Sequence, residues 1–245
     1  MKAIVLAAGL GKRLAPVTGG LPKCLVPVAG RTILDRMIER LVQAGLDDII
    51  VVTGHRREDV ERHLDRADLP AARAAQRVFN PRFHDWGNFH SLLVAEDACR
   101  GDGFVKLDAD VIMDTQLLPA LLAAPGPAAL AVDVRSGLGE EEMKARVDER
   151  GVVVELSKRI EPARALGESV GIERIDAELA PRMWAELRRL IELGETDEYY
   201  ERAYELLMQQ GVPFSYADVS MSEWCEVDNA DDLAAAEAML ARSRV

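Results

Sequence analysis

No acidic residue occurs before Asp35, although the chain of 245 residues carries 42 acidic against 30 basic side chains and a net charge of −12. The basic residues of this N-terminal segment are Lys2, Lys12, Arg13, Lys23 and Arg31. Because carboxylates repel an anion and cations attract one, this distribution indicates an anion-binding site in the segment. The alternative is a chance cluster of basic residues on a solvated face.

Cysteines, long apolar runs and a basic overall charge are also scarce or missing, and each shortage excludes a class of protein. The three cysteines form no metal-spaced pair and no disulfide framework, which is typical of a reducing compartment, so we expect a cytoplasmic protein. No apolar run is long enough to span a bilayer and the N-terminus lacks a signal-peptide pattern, so no membrane is expected. The net negative charge argues against nucleic acid as a partner.

The first half of the chain alternates between strand-like apolar runs and helical spacing of apolar residues. This alternation predicts an α/β fold, with a Rossmann-like, mostly parallel sheet flanked by helices. Ligands of such sheets bind at the carboxyl ends of the strands. The predicted strands cover residues 2–6, 48–53, 76–79 and 103–107, and the predicted helices cover 32–44, 56–64 and 91–98.

The pattern changes after Asp133, where a highly charged segment precedes shorter strands and longer helices. This second half predicts a small antiparallel and helical elaboration of the same sheet, so that residues 1–245 form a single domain. Its predicted strands cover 151–155, 171–174, 213–217 and 225–227, and its predicted helices cover 176–193, 198–210 and 230–241.

A glycine turn, Gly9-Leu-Gly11-Lys-Arg13, follows the first predicted strand directly. It begins like a dinucleotide fingerprint, but Leu14 stands where the third glycine belongs, and no Gly-Lys-Ser/Thr completes a Walker A loop. The pair Pro22-Lys23 follows shortly after the turn. Backbone N–H groups, a forked Arg13 guanidinium and a compact Lys23 ammonium together predict a bound phosphate chain.

Two groups of acids predict a divalent metal. Asp108 and Asp110 follow the apolar strand that ends near Leu107, and Asp228 lies in a distant acidic segment between a short strand and a helix. Carboxylates at a strand end commonly hold a metal that bridges phosphate oxygens. The alternatives are an ordinary acidic loop for the first group and a helix N-cap for Asp228.

A third segment, 80–91, combines Trp86, Gly87, Asn88 and Ser91. A glycine there lets the backbone approach a planar base, and the amide and hydroxyl groups supply polar contacts to its edge. An equally weighted alternative is a plain turn in which Asn88 or Ser91 caps the following helix.

The sequence from Leu6 to Arg13, joined to Pro22-Lys23, resembles the nucleoside triphosphate transferase superfamily, which includes the sugar-phosphate nucleotidyltransferases. The segments 80–92, 108–110, 167–172 and 224–232 make it look like the branch of phosphocholine, inositol-1-phosphate and phosphonate cytidylyltransferases. The resemblance extends over nearly the whole chain. It implies a nucleotide-binding half over 1–133 and an acceptor-binding half with a closing helix over 134–245.

The resemblance also implies a role for each matching position. Arg13, Lys23 and Asp110 would carry catalysis, and Asp110 and Asp228 would bind Mg²⁺. The residues implied for nucleotide binding are Leu6, Ala7, Ala8, Gly9, Gly11, Lys12, Arg13, Lys23, Gly87, Asn88 and Asp108. Those expected to contact the acceptor are Lys144, Lys158, Glu168, Tyr200 and Trp224.

The implied activity is transfer of CMP from CTP to a small phosphorylated or phosphonate acceptor of the phosphocholine or 2-aminoethylphosphonate type. The partners expected are CTP and that acceptor, with a homodimer left open. Aromatic residues of the second half favour an ammonium-bearing acceptor through cation–π contact, although Tyr200 and Tyr204 could equally belong to the core. The alternatives are a sugar-1-phosphate or inositol-1-phosphate nucleotidyltransferase using CTP or UTP, a nucleotide-sensing module, and a nicotinamide-dependent oxidoreductase.

Overall fold

The computed structural model describes residues 1–135 and 137–242. Its strands are β1 (Lys2–Ala7), β2 (Pro27–Val28), β3 (Arg31–Thr32), β4 (Ile49–Thr53), β5 (Gln76–Phe79), β6 (Phe104–Asp108), β7 (Val111–Met113), β8 (Ala128–Asp133), β9 (Lys144–Val147), β10 (Val153–Ser157), β11 (Gly167–Ile175), β12 (Phe214–Asp218) and β13 (Trp224–Glu226). Nine of them form one sheet in the order β5-β4-β1-β6-β11-β8-β12-β10-β9.

Helices cover both faces of this sheet. They are α1 (Ala15–Thr18), α2 (Ile33–Gln43), α3 (Arg57–Arg66), α4 (Pro70–Ala74), α5 (Phe89–Leu93), α6 (Glu96–Cys99), α7 (Leu117–Ala123), α8 (Ala180–Glu192), α9 (Glu201–Gln209) and α10 (Ala230–Arg242), with 3₁₀ turns at Lys23–Leu25 and Pro162–Arg164. No helix within the described ranges is both long and apolar enough to cross a membrane.

The predicted α/β class with flanking helices is confirmed, but the sheet is mixed in direction. β5, β4, β1 and β6 run parallel to one another, and β12 runs parallel to β8. β11 runs antiparallel to both β6 and β8, and β9 and β10 pair antiparallel. Apolar runs do not encode strand direction, which is why the sequence pattern overestimated the parallel share.

The chain reverses its direction of travel across the sheet at β1. From β1 it proceeds to β4 and β5 on one side, and then returns to add β6 on the other side. The carboxyl ends of β1 and β6 therefore open onto a crevice, the place where open α/β sheets bind ligands.

Side chains of the buried strands alternate between two hydrophobic layers, as pleated strands require. In β1, Ala3 and Val5 face the layer that includes α2 and α7, whereas Ile4 and Leu6 face the layer that includes α8 and α9. A third, smaller cluster packs α10 against the N-terminal loops through Leu14, Val28, Val227 and Met239. This cluster fixes the C-terminal acids near the glycine turn.

Most predicted elements of the first half are present within a few residues of their expected ends. The helix at 32–44 begins after Thr32, whose side chain accepts a hydrogen bond from Asp35 N at 3.1 Å. The single helix predicted over 91–98 was wrong, because α5 and α6 are separate short helices. β8 and β9 were missed. β8 is rich in alanine, which has a low strand propensity, and β9 lies in a charged segment.

Candidate active site

A cavity of about 360 Å³ opens at the carboxyl ends of β1 and β6. Its floor carries the glycine turn after β1 and the acids after β6 and β13. Its walls come from the segments 83–91, 141–143, 168–171 and 199–201. The crevice expected from the strand order is thus a real cavity, lined by both halves of the chain.

Three acids from distant parts of the chain meet on the cavity floor. Asp110, Glu226 and Asp228 each offer a carboxylate oxygen within 4.8 Å of the others. The antiparallel pair of β7 and β13 sets Glu226 opposite Val111, and Val227 N donates to Asp110 O at 3.0 Å. This two-stranded ribbon therefore brings the three acids together. We call Asp110, Glu226 and Asp228 the acid trio.

Asp228 is free to face the cavity because its neighbours cap α10. Asn229 Oδ1 accepts from Asp231 N at 2.8 Å and from Asp232 N at 3.1 Å. Asp232 Oδ2 in turn accepts from Asn229 N at 3.0 Å, which completes a reciprocal cap. The helix-cap alternative for the Asp228 side chain is therefore wrong.

Two cations face the acid trio. Lys23 Nζ lies 2.9 Å from Asp110 Oδ2 and also contacts Asp228, and the Arg13 guanidinium contacts the other Asp228 oxygen. Lys23 starts a 3₁₀ turn behind Pro22, and the fully buried Leu14 anchors the segment beside Arg13. The residues expected to bind phosphate and metal thus lie together on one floor.

The cavity floor carries more carboxylates than cations, and these carboxylates repel one another. Desolvation, followed by repulsion from Asp110, raises the pKa of Glu226 to about 7. Lys23 acts in the opposite direction and lowers that pKa. A cluster of oxygen ligands with surplus negative charge has the donor chemistry that Mg²⁺ requires, so the trio fits a divalent metal.

Asp108 lies beside the trio but has a different environment. Its Oδ2 accepts from the Tyr200 hydroxyl and lies 3.2 Å from Lys106 Nζ. Gly171, with φ of +73°, passes so close that a Cβ there would meet Asp108 Oδ2 at 2.6 Å. Burial raises the pKa of Asp108, while the Lys106 ammonium opposes this rise.

Lys106 itself is fully buried behind the floor. Its Nζ lies 2.7 Å from Glu173 Oε2 and donates to Gly171 O at 3.0 Å, and the register of β6 and β11 places Glu173 directly opposite it. Burial acts to lower the pKa of Lys106, but nearby carboxylates, Asp108 first among them, outweigh burial and raise it. Asp108 is therefore held by a buried ion-pair network.

The residues predicted to bind nucleotide divide between the main cavity and its neighbours. Those that line the main cavity are Leu6, Ala8, Gly9, Arg13, Lys23, Gly87, Asn88 and Asp108. Gly11 and Lys12 line an adjoining cleft that Arg13 and Lys23 share. Ala7 borders a small cavity behind the turn and packs into the core.

Gly87 and Asn88 hold the wall segment that follows α8. A Cβ on Gly87 would meet Glu198 O at 1.9 Å, and Gly87 N donates to Thr196 O at 2.8 Å. Asn88 Oδ1 accepts from Tyr200 N at 2.9 Å and makes no side-chain cap of α5. Their expected contact with a base stays a prediction. Both residues also fix the position of segment 196–200, which the sequence did not reveal.

The residues predicted to contact the acceptor are also divided. Lys158, Glu168 and Tyr200 line the cavity. Lys144 does not, because its fully buried ammonium donates to the carbonyl oxygens of Gly139, Glu140 and Glu142. Its contact with the acceptor stays a prediction, and in this structure Lys144 fixes the loop that carries Glu142.

Trp224 and Tyr200 are likewise engaged within the protein. Trp224 Nε1 donates to Asp133 Oδ2 at 2.8 Å and does not line the cavity, so its contact with the acceptor stays a prediction as well. The Tyr200 ring faces Lys106 Nζ at 3.6 Å and is almost fully buried. Pattern reasoning could not separate these aromatics from ligand contacts, because burial and partners come from distant strands.

Several lining or supporting acids and one base were missed as site residues. Glu226 was seen only as part of an acidic segment, and its spacing of two residues from Asp228 was the available signal. Glu142 and Glu201 line the cavity, and Lys106 and Glu173 lie directly behind it. A lysine and a glutamate within apolar strands were the only local signs of this network.

Known proteins resemble this chain in both sequence and fold. Residues 3–195 match the family described as MobA-like NTP transferase domain. The CMP-5'-(3-aminopropyl)phosphonate synthase of Streptomyces rubellomurinus is 32% identical over 95% of this chain and 37% of its own length. The bifunctional IPC transferase and DIPP synthase of Rubrobacter xylanophilus is 33% identical over 97% of this chain and 51% of its own length.

A choline-phosphate cytidylyltransferase of Streptococcus pneumoniae is 38% identical over 44% of each chain. The chain thus spans about a third to a half of the length of these curated relatives. Among solved structures, the inositol-1-phosphate CTP transferase of T. maritima has a TM-score of 0.79 at 22% identity, covering 98% of this chain and 94% of that one. This likeness shows a shared nucleotidyltransferase fold, and the sequence match shows that the chain belongs to the family of MobA-like NTP transferase domains.

Proposed function

We propose that this chain is a cytidylyltransferase that transfers CMP from CTP to a small phosphorylated or phosphonate acceptor and releases pyrophosphate. The observation that supports it best is the meeting of Arg13 and Lys23 with the acid trio on one cavity floor. Cations aimed at phosphates and carboxylates aimed at a metal are the two components that nucleotidyl transfer requires.

The proposed step needs no nucleophile from the protein. An oxygen of the acceptor phosphate or phosphonate attacks the α-phosphorus of CTP and forms a new P–O bond. The bond from the α-phosphorus to the oxygen bridging it to the β-phosphorus breaks, and pyrophosphate leaves with that electron pair. Both reactants are anions, so positioning and charge neutralisation supply most of the acceleration.

The residues of the floor have distinct roles in this proposal. Lys23 stabilises negative charge near the α-phosphate, and Arg13 binds the leaving pyrophosphate in fork geometry. The acid trio would hold Mg²⁺, which neutralises phosphate charge when bound. Since Lys23 and Arg13 contact Asp110 and Asp228 directly, they exchange carboxylate partners for phosphate partners when the nucleotide enters.

The choice of CTP and of this acceptor class draws support from the relatives. Their names specify a CMP-aminopropylphosphonate product, phosphocholine and an inositol phosphate derivative. The match to the Rubrobacter protein over 97% of the chain supports the alternative, an inositol-1-phosphate or sugar-1-phosphate nucleotidyltransferase using CTP or UTP. A homodimer stays a prediction of the resemblance alone.

The experiment is a matrix of four NTPs with a panel of acceptors in the presence of Mg²⁺, with pyrophosphate release as the readout. The panel contains phosphoethanolamine, phosphocholine, 2-aminoethylphosphonate, inositol 1-phosphate and glucose 1-phosphate. We expect turnover with CTP and one of the first three acceptors. Turnover only with the last two would favour the alternative, and no turnover with any pair would overturn the proposal.

A further inference from the structure

The buried ammonium of Lys106 interacts with three carboxyl groups behind the acceptor side of the cavity. Asp108, Glu173 and Glu201 all act electrostatically on Lys106. The ammonium of a lysine has three donors, and those of Lys106 are directed to Asp108 Oδ2 at 3.2 Å, Glu173 Oε2 at 2.7 Å and Gly171 O at 3.0 Å. No donor of Lys106 is left for Glu201.

Glu201 accordingly has an oxygen without a partner. It stands in the first turn of α9, is 9% exposed and lines the cavity, and its buried Oε2 accepts no hydrogen bond from any described residue. Glu142 Oε2, in the wall opposite the floor, is in the same condition. Because an unpartnered buried carboxyl is costly, a hydrogen-bond donor in the cavity would remove that cost once the Glu201 side chain turns its Oε2 into the cavity that the residue lines.

The charge of the surrounding wall favours a cation as that donor. Glu142 and Glu168 line the same cavity, and repulsion from Glu142 adds to burial in raising the pKa of Glu168 to about 7. Lys158 stands at the rim, and its ammonium makes no ion pair within the ranges 1–135 and 137–242. An acceptor with an anionic end and a cationic end matches this arrangement of Lys158 and acids.

Several aromatic faces near this wall are already occupied within the protein, although Phe83 and the half-exposed Tyr199 also line the cavity. The Tyr200 ring is occupied by Lys106 Nζ, and Tyr204 packs between Tyr200 and Phe214 with centroid distances of 5.6 Å to each. Trp86 lines the cavity but carries the Arg82 guanidinium at 5.0 Å from its ring centre. Cation–π binding, which suits a quaternary ammonium, is therefore weakly supported, whereas carboxylate acceptors for N–H donors are present.

We infer that the acceptor carries an ammonium group with at least one N–H that donates a hydrogen bond to Glu201, and that the site disfavours a quaternary ammonium. This inference rests on the proposed function and narrows its acceptor to short aminoalkyl phosphates or phosphonates. Glu201 is then a residue that determines specificity, and the buried Lys106 network is what leaves its oxygen unpaired. A quaternary ammonium has no N–H, so it would enter the cavity without relieving that oxygen.

The first test uses the unmodified protein with a graded set of acceptors. Phosphoethanolamine and its N-methyl, N,N-dimethyl and N,N,N-trimethyl derivatives, the last being phosphocholine, are compared by kcat/KM for pyrophosphate release from CTP. The three methylation steps add equal volume, but only the last removes the final N–H. We expect the last step to cost about 10- to 100-fold and the earlier steps much less. A smooth decline, or phosphocholine used as well as phosphoethanolamine, would overturn the inference.

The second test isolates Glu201. Glu201→Gln keeps the size of the side chain and replaces one carboxyl oxygen, which can accept from an ammonium, by an amide NH2, which cannot. Glu205→Gln is the matched control on the same helix, where Glu205 pairs with Arg202 outside the main cavity. We expect Glu201→Gln to lower kcat/KM for phosphoethanolamine by about tenfold and to flatten the methylation series. The control should keep the wild-type series.

Calorimetric titration separates this inference from the proposed function. Phosphoethanolamine and phosphocholine are titrated into the unmodified protein and the two variants in the presence of Mg²⁺ and CMP. Preferential binding of phosphoethanolamine that depends on Glu201, without turnover, would refute the proposed function and support the ammonium site. Turnover with CTP but no preference would support the function and refute the ammonium site. Absence of binding by both compounds would also refute the ammonium site.

Discussion

The two sides of the cavity differ in how their charges are balanced. On the nucleotide side, Arg13 and Lys23 contact Asp110 and Asp228 directly, and all four side chains reach the cavity. On the acceptor side, the balancing cation Lys106 is sealed behind the wall, and the acids that face the cavity outnumber the bases. Under the proposed function, the cations of the first side would exchange carboxylates for phosphates, whereas the acids of the second side would receive a cation from the acceptor.

The charged side chains of the two sides also differ in how freely they can move. The Arg13 side chain is 65% exposed, so it can move at small cost when a phosphate arrives. Lys106 and Glu173 are both 0% exposed, so any loss of their pairing leaves a charge in the core. We therefore expect variants of the acceptor side to affect stability first and variants of the nucleotide side to affect turnover first.

The largest expected effect belongs to Lys106→Met, which preserves length but removes the buried charge. It leaves Asp108 and Glu173 without their cation and should lower the free energy of unfolding by about 3–5 kcal/mol. Denaturant unfolding at pH 8 measures this loss. Adding Glu173→Gln should restore part of it, and an unchanged unfolding midpoint in the single variant would contradict the assigned role of Lys106.

Unlike Lys106→Met, Lys23→Ala should cause a large loss of activity and little loss of stability. Removing a charge directed at the transition state should cost about 2–4 kcal/mol, measured from kcat/KM for pyrophosphate release. Arg150→Ala, in an exposed turn outside the cavity, is the control of equal charge change. Equal rates in both variants would remove Lys23 from the reaction.

Asp110→Asn tests the acid trio. It keeps the shape of the side chain but weakens an oxygen ligand, so the Mg²⁺ concentration for half-maximal rate should rise at least about tenfold. Asp97→Asn is the control, since Asp97 is exposed on α6 and does not line the cavity. If the Mg²⁺ dependence of the rate stays the same, Asp110 is not a metal ligand.

The free energy of unfolding should vary with pH because of Glu201, the unpaired acid of the acceptor side. Burial raises the pKa of Glu201 to about 8, whereas its ordinary value is 4.5, so the folded protein keeps a proton that the unfolded chain releases. Stability is then fully present at low pH and falls as pH rises towards about 8, by up to about 1.4 kcal/mol per pH unit for each such group. Unfolding measured at pH 6.5, 7.2 and 8.0 should show this fall, and Glu201→Gln should reduce it relative to the exposed Glu149→Gln control.

The smallest effect is expected for Lys158→Ala at the cavity rim. Because its exposed ammonium is screened by solvent, we expect the KM for the acceptor to rise only about two- to fivefold, with kcat and the KM for CTP unchanged. Steady-state kinetics with each substrate varied in turn measures both constants. A larger effect on CTP than on the acceptor would assign Lys158 to the nucleotide side.

The difference between the two sides also explains which parts of the site could be predicted from the sequence. The nucleotide side rests on contiguous signals, a strand, a glycine turn and closely spaced basic residues, and its predicted Lys23, Asp110 and Asp228 do come together. The acceptor side depends on long-range register, such as Glu173 opposite Lys106 across β6 and β11. Local patterns carry no such register, so Lys144 and Trp224 were assigned to the acceptor and Glu201 was not.

The ribbon of β7 and β13 has a consequence for the order in which the protein matures. Asp110 emerges during synthesis with the central strands, but Glu226 and Asp228 follow only after β12 has completed its part of the sheet. A partly made chain can therefore bury its first core while its metal ligands are incomplete. Under the proposed function, magnesium binding and turnover would therefore require β13 and the residues that follow it.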